Sequence, residues 1–258
     1  MTVAPQTHQG RVAIVTGAGR GIGQGIATLL SQRGARVGVL DVDPALAQAT
    51  ASNIGSAAIG LACDVADLAS VDSACTAIEQ AFGPVDILVN NAGISPKHDG
   101  RRADVQDMDP SEWRRVMAVN LDGAFNCVHR LAPGMIARRQ GAIVNQSSVA
   151  GKTFFGDFPL TGVHYAESKA GLIGFTKHLA GELGAHGITV NAIAPGRIDT
   201  PLMRGVASTI NESIRNDTPL GRLGTPEDVA RVVCFLTGPD SGFVTGQTID
   251  VAGGWMIT

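Results

Sequence analysis

Residues 11–23 read RVAIVTGAGRGIG, and this stretch decides the fold. Its first part, 11–16, is a short run rich in β-branched residues, as expected for a strand buried on both faces of a parallel sheet. The glycines that follow let the chain turn sharply and let a ligand approach the backbone closely. A helical pattern begins at Gly21, so the N–H groups at its positive end would face a phosphate. This order predicts a strand–turn–helix unit that binds a nucleotide.

The rest of the chain repeats this alternation of short apolar runs and longer helical patterns. Strands are predicted at 11–16, 36–41, 57–64, 85–90, 142–146, 188–194 and 247–251, and helices at 21–33, 44–53, 68–82, 111–139, 164–185 and 226–237. Repeated strand–helix–strand units predict one α/β domain over 1–258, a doubly wound Rossmann fold. Its parallel sheet should have about seven strands, with helices on both faces.

Three stretches lie outside this alternation. Residues 1–10 are polar and are expected to form a flexible N-terminus. Residues 148–163 form a long strand-to-helix connection. Residues 195–224 separate the sixth strand from the last helix. Because long connections in compact domains are usually functional lids or disordered, we expect 195–224 to be a substrate lid.

Composition excludes several classes of protein. The 258 residues are 44% hydrophobic and 17% charged with a formal net charge of −3, so no basic stripe is present for nucleic acid or an anionic membrane. No apolar run reaches the length of a membrane span and no signal peptide pattern opens the chain, which predicts a cytoplasmic protein. The four cysteines, at 63, 75, 127 and 234, are scattered and are expected to be reduced and buried. No metal-ligand spacing occurs, and no metal is expected.

The glycine turn has the spacing T-G-x-x-x-G-x-G, and further motifs follow it in a set order. These are Asn90-Asn91-Ala92-Gly93, Val119-Asn120-Leu121, Ser147-Ser148, Tyr165-Ala166-Glu167-Ser168-Lys169 and Asn191-Ala192-Ile193-Ala194-Pro195-Gly196. With these motifs the chain resembles the short-chain dehydrogenase/reductase family over 11–254. The resemblance implies hydride transfer between a nicotinamide cofactor and a secondary alcohol or ketone.

Tyr165 is the only tyrosine of the chain, and Lys169 follows it by four residues, so the two share one face of a helix. A nearby ammonium and an oxidised nicotinamide would favour the phenolate and lower the tyrosine pKa from about 10. Tyr165 could then take the proton of an alcohol. The resemblance adds that Lys169 holds the nicotinamide ribose, that Ser148 binds the substrate oxygen, and that Asn120 supports a water-mediated proton path.

The resemblance also implies the contacts of the cofactor. They are expected at Gly17, Gly19, Arg20, Gly21, Ile22, Gly23, Asp41, Asp64, Val65, Asn91, Ala92, Gly93, Tyr165, Lys169, Pro195, Gly196, Ile198 and Thr200. Asp41 ends the second strand, where a carboxylate accepts hydrogen bonds from the ribose hydroxyls and repels a 2′-phosphate. Arg20 stands where relatives that prefer NADP often carry a basic residue. We expect Asp41 to outweigh Arg20, so NAD is predicted over NADP.

These observations leave three functions open. The first is NAD-dependent oxidation or reduction of a small polar hydroxy compound. The second is NADP-dependent reduction of a 3-oxoacyl thioester. The third is a nucleotide-binding regulator without turnover, which the intact Ser148, Tyr165 and Lys169 disfavour. The 17-residue separation of Ser148 and Tyr165 exceeds the family's common spacing, which indicates an insertion in 151–163.

The substrate is expected to meet three segments, 94–102, 151–163 and 197–217. Their cationic candidates are Lys97, His98, Arg101, Arg102, Lys152, His164 and Arg197, and their apolar ones are Phe154, Phe155, Phe158 and Met203. The phenylalanines would line the pocket or bury an oligomer contact. Residues 97–109 also carry several aspartates, which favours a solvated loop there.

By analogy with the family, a homotetramer is expected to pair through the helices 111–139 and 164–185. The apolar residues taken to support this pairing are Val116, Val119, Leu172, Phe175 and Leu179.

Overall fold

A computed structural model describes residues 6–154, 161–200 and 208–256. Its strands are β1 Val12–Thr16, β2 Arg36–Asp41, β3 Ala58–Ala62, β4 Ile87–Asn90, β5 Gly141–Gln146, β6 Ile188–Pro195 and β7 Thr248–Val251. They form one parallel sheet in the order β3-β2-β1-β4-β5-β6-β7. This confirms the predicted doubly wound α/β fold and its seven strands.

The helices are α1 Gly21–Gln32, α2 Pro44–Ile54, α3 Leu68–Phe82, α4 Pro110–Met117, α5 Gly123–Arg138, α6 Val163–Gly184, α7 Ser208–Asp217 and α8 Pro226–Thr237. Two hydrophobic cores lie on opposite faces of the sheet. Ala13 and Val15 of β1 belong to the core that holds α1, α2 and α8. Val12 and Ile14 belong to the core that holds α3, α5 and α6. Because successive side chains of a strand point to opposite faces, a strand between two helix layers must be apolar throughout.

The strand order reverses beside β1, whose two neighbours are β2 and β4. In an open parallel sheet the loops after these strands diverge at such a point, and they leave a crevice at the carboxyl ends. The glycine turn follows β1, and Asn90-Asn91-Ala92-Gly93 spans the end of β4. Both motifs therefore lie at the mouth of the crevice.

The predicted helix 111–139 is interrupted. The segment Ala118–Asp122 between α4 and α5 is π-helical, and Asn120 lies in its middle. A π-segment inserts a residue into the helical register and is frequent at functional sites. The helical pattern of 111–139 does not reveal this insertion, which spans only five residues.

The segment 195–224 contains α7, which the sequence reading did not predict. The two ends of the segment are joined: Gly224 N donates to Arg197 O at 2.9 Å and Asp199 N donates to Gly224 O at 2.8 Å. The two ends of the segment 195–224 therefore lie side by side on the domain, as expected for a substrate lid. Whether they act as a lid stays a prediction.

The N-terminus also differs from expectation in its described part. His8 is fully buried, its Nε2 lies 2.9 Å from Thr237 Oγ1, and its backbone N–H donates to Arg33 O at 2.9 Å. Residues 6–10 therefore pack between the ends of α1 and α8 instead of forming a free tail.

All four cysteines are buried free thiols, and burial raises the pKa of each. Within 6–154, 161–200 and 208–256, no three His, Cys, Asp or Glu side chains are grouped so that they could hold a metal ion. The helices of these residues include none that is long and apolar enough to cross a membrane.

Candidate active site

The glycine turn lies directly against the end of β4. Gly17 has φ +60°, and a Cβ at this position would meet Ala92 Cα at 2.8 Å. The Asn91 side-chain amide donates to Thr16 O at 2.7 Å and to Gly17 O at 2.9 Å. The Thr16 hydroxyl accepts the N–H groups of Asn91 and Ala92, both at 3.0 Å. These bonds fix the shape of the turn without a ligand.

Asp41 projects from the end of β2 toward the same turn. Its Oδ2 accepts the N–H of Gly19 at 2.9 Å, and its Oδ1 accepts the N–H of Asp43 at 3.1 Å. A Cβ on Gly19 would lie 2.8 Å from Asp41 Oδ2, so only glycine allows this approach. The carboxylate is thereby held beside the glycine turn, while Arg20 is exposed to solvent.

A cavity of about 410 Å³ opens between the glycine turn and the ends of β2, β3 and β4. Of the predicted cofactor contacts, it is lined by Gly17, Arg20, Gly21, Ile22, Gly23, Asp41, Asp64, Val65, Asn91, Ala92, Gly93 and Thr200. Helix α1 begins at this cavity, and no side chain caps its first turn. Free N–H groups and a positive helix end suit a phosphate.

A second cavity of about 160 Å³ adjoins the first, and Ile22, Gln146 and Thr200 line both. Ser148 and Tyr165 line this smaller cavity. The predicted residues Pro195, Gly196, Ile198 and Thr200 line it as well. The fold therefore brings residues from three distant motifs, at 148, 165 and 195–200, around one small space next to the larger cavity.

The structure distinguishes the two adjacent serines. The Ser147 hydroxyl donates to Lys169 O at 2.7 Å, which uses its only proton within α6. The Ser148 oxygen accepts the N–H of Ala150 at 3.2 Å, and its hydroxyl hydrogen-bonds the Tyr165 side chain. Of the two serines, Ser148 is thus the one beside the tyrosine side chain.

Tyr165 and Lys169 share a face of α6, with Lys169 Nζ 5.6 Å from the centre of the tyrosine ring. Lys169 is almost completely buried and donates to Gln146 O at 2.6 Å. Burial lowers its pKa to about 8.

The pKa of Tyr165 departs from the sequence expectation. Burial raises it, and the hydrogen bond from Ser148 offsets this only in part. The expectation of a lowered pKa relied on Lys169 together with a positive nicotinamide. Lys169 lies over the ring face instead of at the hydroxyl, so in the protein alone the phenol form is favoured.

Asn120 is 1% exposed and uses both ends of its amide within the protein. Its Oδ1 accepts the N–H of Ile94 at 2.7 Å, and its Nδ2 donates to Ile94 O and to Ser168 Oγ, each at 3.0 Å. Asn120 and Lys169 Nζ both lie close to Gly93, since a Cβ there would be 3.3 Å from Asn120 Oδ1 and 3.3 Å from the ammonium. Asn120 therefore connects the π-segment, the loop after β4 and α6.

The expected cationic residues divide into two groups. Lys152 pairs with Asp250 at 2.8 Å, Arg102 lies 3.6 Å from Asp104, and Arg101 is exposed. His98 and the buried His164 both contact Glu112. Only Lys97 and Arg197 line the smaller cavity, together with Ser95 and Trp255, which the sequence reading missed. Among the apolar candidates, Phe154 is 73% exposed, and Phe155, Phe158 and Met203 lie outside the described residues.

His164 has a place that the sequence did not reveal. Its Nδ1 accepts the backbone N–H of Tyr165 at 2.7 Å, so Nε2 carries the proton and donates to Glu112 Oε1 at 3.0 Å. Glu112 belongs to α4, and the contact joins α4 to the first turn of α6, next to Tyr165. This assigns His164 to the support of the site, away from a direct substrate contact.

A family model described as enoyl-(acyl carrier protein) reductase matches residues 17–256. The 3-oxoacyl-(acyl-carrier-protein) reductase of Vibrio cholerae serotype O1 is 40% identical over 246 residues, which cover 95% of this chain and 97% of that protein. A crystal structure of a 3-oxoacyl-(acyl-carrier protein) reductase from Brucella melitensis matches with TM-score 0.93 and 47% identity over 99% of this chain and 95% of that one. Another, also from Brucella melitensis and with bound NAD, has TM-score 0.91 and 46% identity at the same coverage.

Proposed function

The chain belongs to the short-chain dehydrogenase/reductase family, and from this premise we propose that it interconverts a ketone and a secondary alcohol with Tyr165 as the proton donor and acceptor. The observation that carries the proposal is the position of the Tyr165 hydroxyl beside Ser148 in the smaller cavity, next to the larger, nucleotide-sized one. An NAD(P)-dependent enzyme that acts on CH–OH groups needs such an adjacency, because hydride and proton leave the same carbinol.

The larger cavity fits a dinucleotide on two grounds. Its floor is a turn in which a side chain at position 17 would collide with Ala92, and its rim is the uncapped start of α1. When bound, the nicotinamide cofactor supplies or accepts the hydride. The residues of the larger cavity would hold its adenosine and pyrophosphate, and Pro195, Gly196, Ile198 and Thr200 would border its nicotinamide end.

Each catalytic side chain has a task that its contacts support. Tyr165, with its raised pKa, keeps its proton until an alkoxide forms, so it serves as general acid in reduction. Ser148 donates to the substrate oxygen or to Tyr165. Lys169, released from Gln146 O, would hold the nicotinamide ribose. Asn120 holds the loop at Ile94 and borders Lys169, where a water could connect the ammonium to solvent.

For the cofactor, Asp41 supports NAD. Its carboxylate is oriented by two backbone N–H groups and lines the larger cavity. In that place it would accept the ribose hydroxyls and repel a 2′-phosphate. The Brucella melitensis relative with bound NAD supports the same assignment.

For the substrate, the relatives support a 3-oxoacyl thioester, which was the second of the functions left open by the sequence. Several of them, at 38–47% identity over nearly the whole chain, are named 3-oxoacyl-(acyl-carrier-protein) reductases. The small polar hydroxy compound expected first remains a second candidate, and the observation that favours it is the presence of Lys97 and Arg197 in the smaller cavity.

The test is a reduction assay of the purified chain with NADH and with NADPH, on a short 3-oxoacyl thioester and on small oxo acids and ketones. Wild type is expected to reduce a 3-oxo compound. The Tyr165→Phe variant is expected to reduce the same compound about 10²–10⁴-fold more slowly. Cofactor binding should persist, because the phenol hydroxyl is not needed to hold the dinucleotide. Cofactor binding by wild type without turnover of any ketone would instead support the regulator.

A further inference from the structure

The smaller cavity is lined by two cationic side chains that come from different connections. Lys97 lies in the loop after β4, which hydrogen bonds to Asn120 hold in place. Arg197 lies directly after Pro195-Gly196, at the end of β6. The same cavity is lined by Ser148 and Tyr165. Both cations therefore lie in the space in which the proposed reaction places its ketone.

Neither cation is neutralised within the part of the chain that the structure describes. Lys97 and Arg197 form no salt bridge there, and the charge that acts on Lys97 most is that of Arg197. Burial lowers the pKa of Lys97, and it lowers that of Arg197 to about 10, so Arg197 remains protonated at neutral pH. Two half-buried like charges that face one space repel each other, and an anion between them removes this cost.

Arg197 is oriented by a neutral group. Its Nε and Nη2 both donate to Asn211 Oδ1, at 3.1 and 2.9 Å, and Asn211 lies on α7. An amide fixes the guanidinium plane but leaves its charge available, whereas a carboxylate would cancel it. Lys152 differs from Arg197, because Asp250 neutralises it at 2.8 Å. We therefore regard Lys152 as a structural cation and Arg197 as one whose charge is available to a ligand.

We propose that Lys97 and Arg197 form an anion-binding subsite next to the reacting carbonyl, and that the preferred substrate is a short oxo acid or hydroxy acid bound through its own carboxylate. This rests on the proposed interconversion of a ketone and a secondary alcohol, and it argues for the second substrate candidate over the 3-oxoacyl thioester. A guanidinium binds a carboxylate with two parallel hydrogen bonds, and the ammonium adds a point charge. The volume of about 160 Å³ suits a compact substrate. A neutral thioester in the same place would neutralise neither charge.

A matched pair of substrates tests the proposal, namely 3-oxobutanoate and its neutral methyl ester, reduced with NADH. Wild type should show a higher kcat/KM for the anion. Lys97→Met should lower kcat/KM for the anion about tenfold or more, because a charge-assisted hydrogen bond is lost, and should lower that for the ester much less. Arg197→Met should act in the same direction. Lys97→Arg, which keeps the charge, should retain the preference. The control is Lys177→Met on the exposed face of α6, which should leave both values unchanged.

An equal loss on acid and ester in Lys97→Met, or a wild type that prefers the ester, would overturn the subsite and leave the reaction class intact. If wild type reduces neither compound, the assay with the 3-oxoacyl thioester and other ketones decides the proposed function, and calorimetric titration with butanoate in the presence of NAD decides the subsite. Binding that is lost in Lys97→Met and kept in Lys177→Met supports it. No binding of butanoate to wild type overturns it.

Discussion

Single residues of the site differ in how their charge is controlled. Asp41 is held by two backbone N–H groups, and Lys169 is buried against Gln146 O. The hydroxyl of Tyr165 is kept protonated by burial. The protonated tyrosine that results can donate a proton, which favours ketone reduction. Oxidation of an alcohol needs the tyrosine as a base, so the positive charge of the oxidised cofactor would have to lower its pKa.

The carboxylate of Asp41 should decide cofactor choice. We expect wild type to prefer NAD, and Asp41→Ala to reduce the ratio of kcat/KM for NAD over NADP by roughly tenfold or more, because hydrogen bonds and repulsion are both lost. Asp41→Asn, which keeps the size and removes the charge, should lose chiefly the repulsion of NADP. Asp240→Ala makes the same change of charge at an exposed position and should not alter the ratio. Equal efficiency with both cofactors in wild type would contradict the assignment and favour Arg20.

The burial of Lys169 should appear in the pH dependence of stability. Its pKa is about 8 in the folded chain and about 10.4 when exposed, so between these values the unfolded state binds more protons. Its contribution to the free energy of unfolding should therefore rise with pH across this window, by about 3 kcal/mol in total. The difference between wild type and Lys169→Met in urea unfolding at pH 7, 8, 9 and 10 measures it. For the control Lys177→Met, the difference in the free energy of unfolding from wild type should not change with pH. If the difference for Lys169→Met also stays constant with pH, the lowered pKa of Lys169 is refuted.

Among the elements, the π-segment Ala118–Asp122 has the clearest consequence for the site. It places Asn120 inward between α4 and α5, where the side chain bonds both main-chain groups of Ile94 and the hydroxyl of Ser168. The loop after β4, which carries Lys97, is tied to the catalytic helix α6 in this way. Without the extra residue in the register, this side chain would point elsewhere.

Asn120→Ala should therefore be costly for stability as well as for turnover. It leaves the half-buried N–H of Ile94 without its acceptor, and a fully buried group of this kind costs about 1–3 kcal/mol, so a loss toward the lower end is expected. Urea unfolding should show a loss of this size, together with a lower kcat. Asn53→Ala on the exposed side of α2 is the matched control and should change both by little. Unchanged stability in Asn120→Ala would mean that the Ile94 contacts are not maintained in solution.

In the whole molecule, the candidate catalytic and binding residues gather near the point where the strand order reverses at β1 and β4. The sheet brings the ends of β1, β2 and β4–β6 to one edge, and the two adjoining cavities lie there. Of the apolar residues taken to indicate an oligomer contact, Val116 and Leu172 are buried in the subunit, so they cannot pair with another chain. Phe125 on α5 is 53% exposed and stacks on His129.

The homotetramer stays a prediction, now with Phe125 as the residue that would be covered in it. Light scattering of wild type should report a particle of four 26.6 kDa chains. Phe125→Arg should shift it to smaller particles, because a charge at an apolar contact costs binding energy. Phe243→Arg, at a fully exposed phenylalanine after α8, is the control and should keep the tetramer. A wild-type mass of one chain would contradict the prediction.

The sequence predicted the fold, and it supplied the members of the candidate site, because both rest on local patterns. Short apolar runs such as 87–89 indicate strands covered on both faces, and the spacing of Tyr165 and Lys169 places them on one face of a helix. The identity of the candidate catalytic residues followed from these patterns and from the family resemblance. The order of the strands is known only from their pairing in the folded sheet.

What only the tertiary structure decided is how distant segments act on one another. The raised pKa of Tyr165 comes from burial by other elements, and the side chain of Asn120 is held by contacts with Ile94 and Ser168. The choice of Lys97 and Arg197 among seven candidate cations depends on which of them meet a carboxylate in space. A sequence lists charges without their partners, and since desolvation and pairing are set by packing, the electrostatics of the site arise only when the chain has folded.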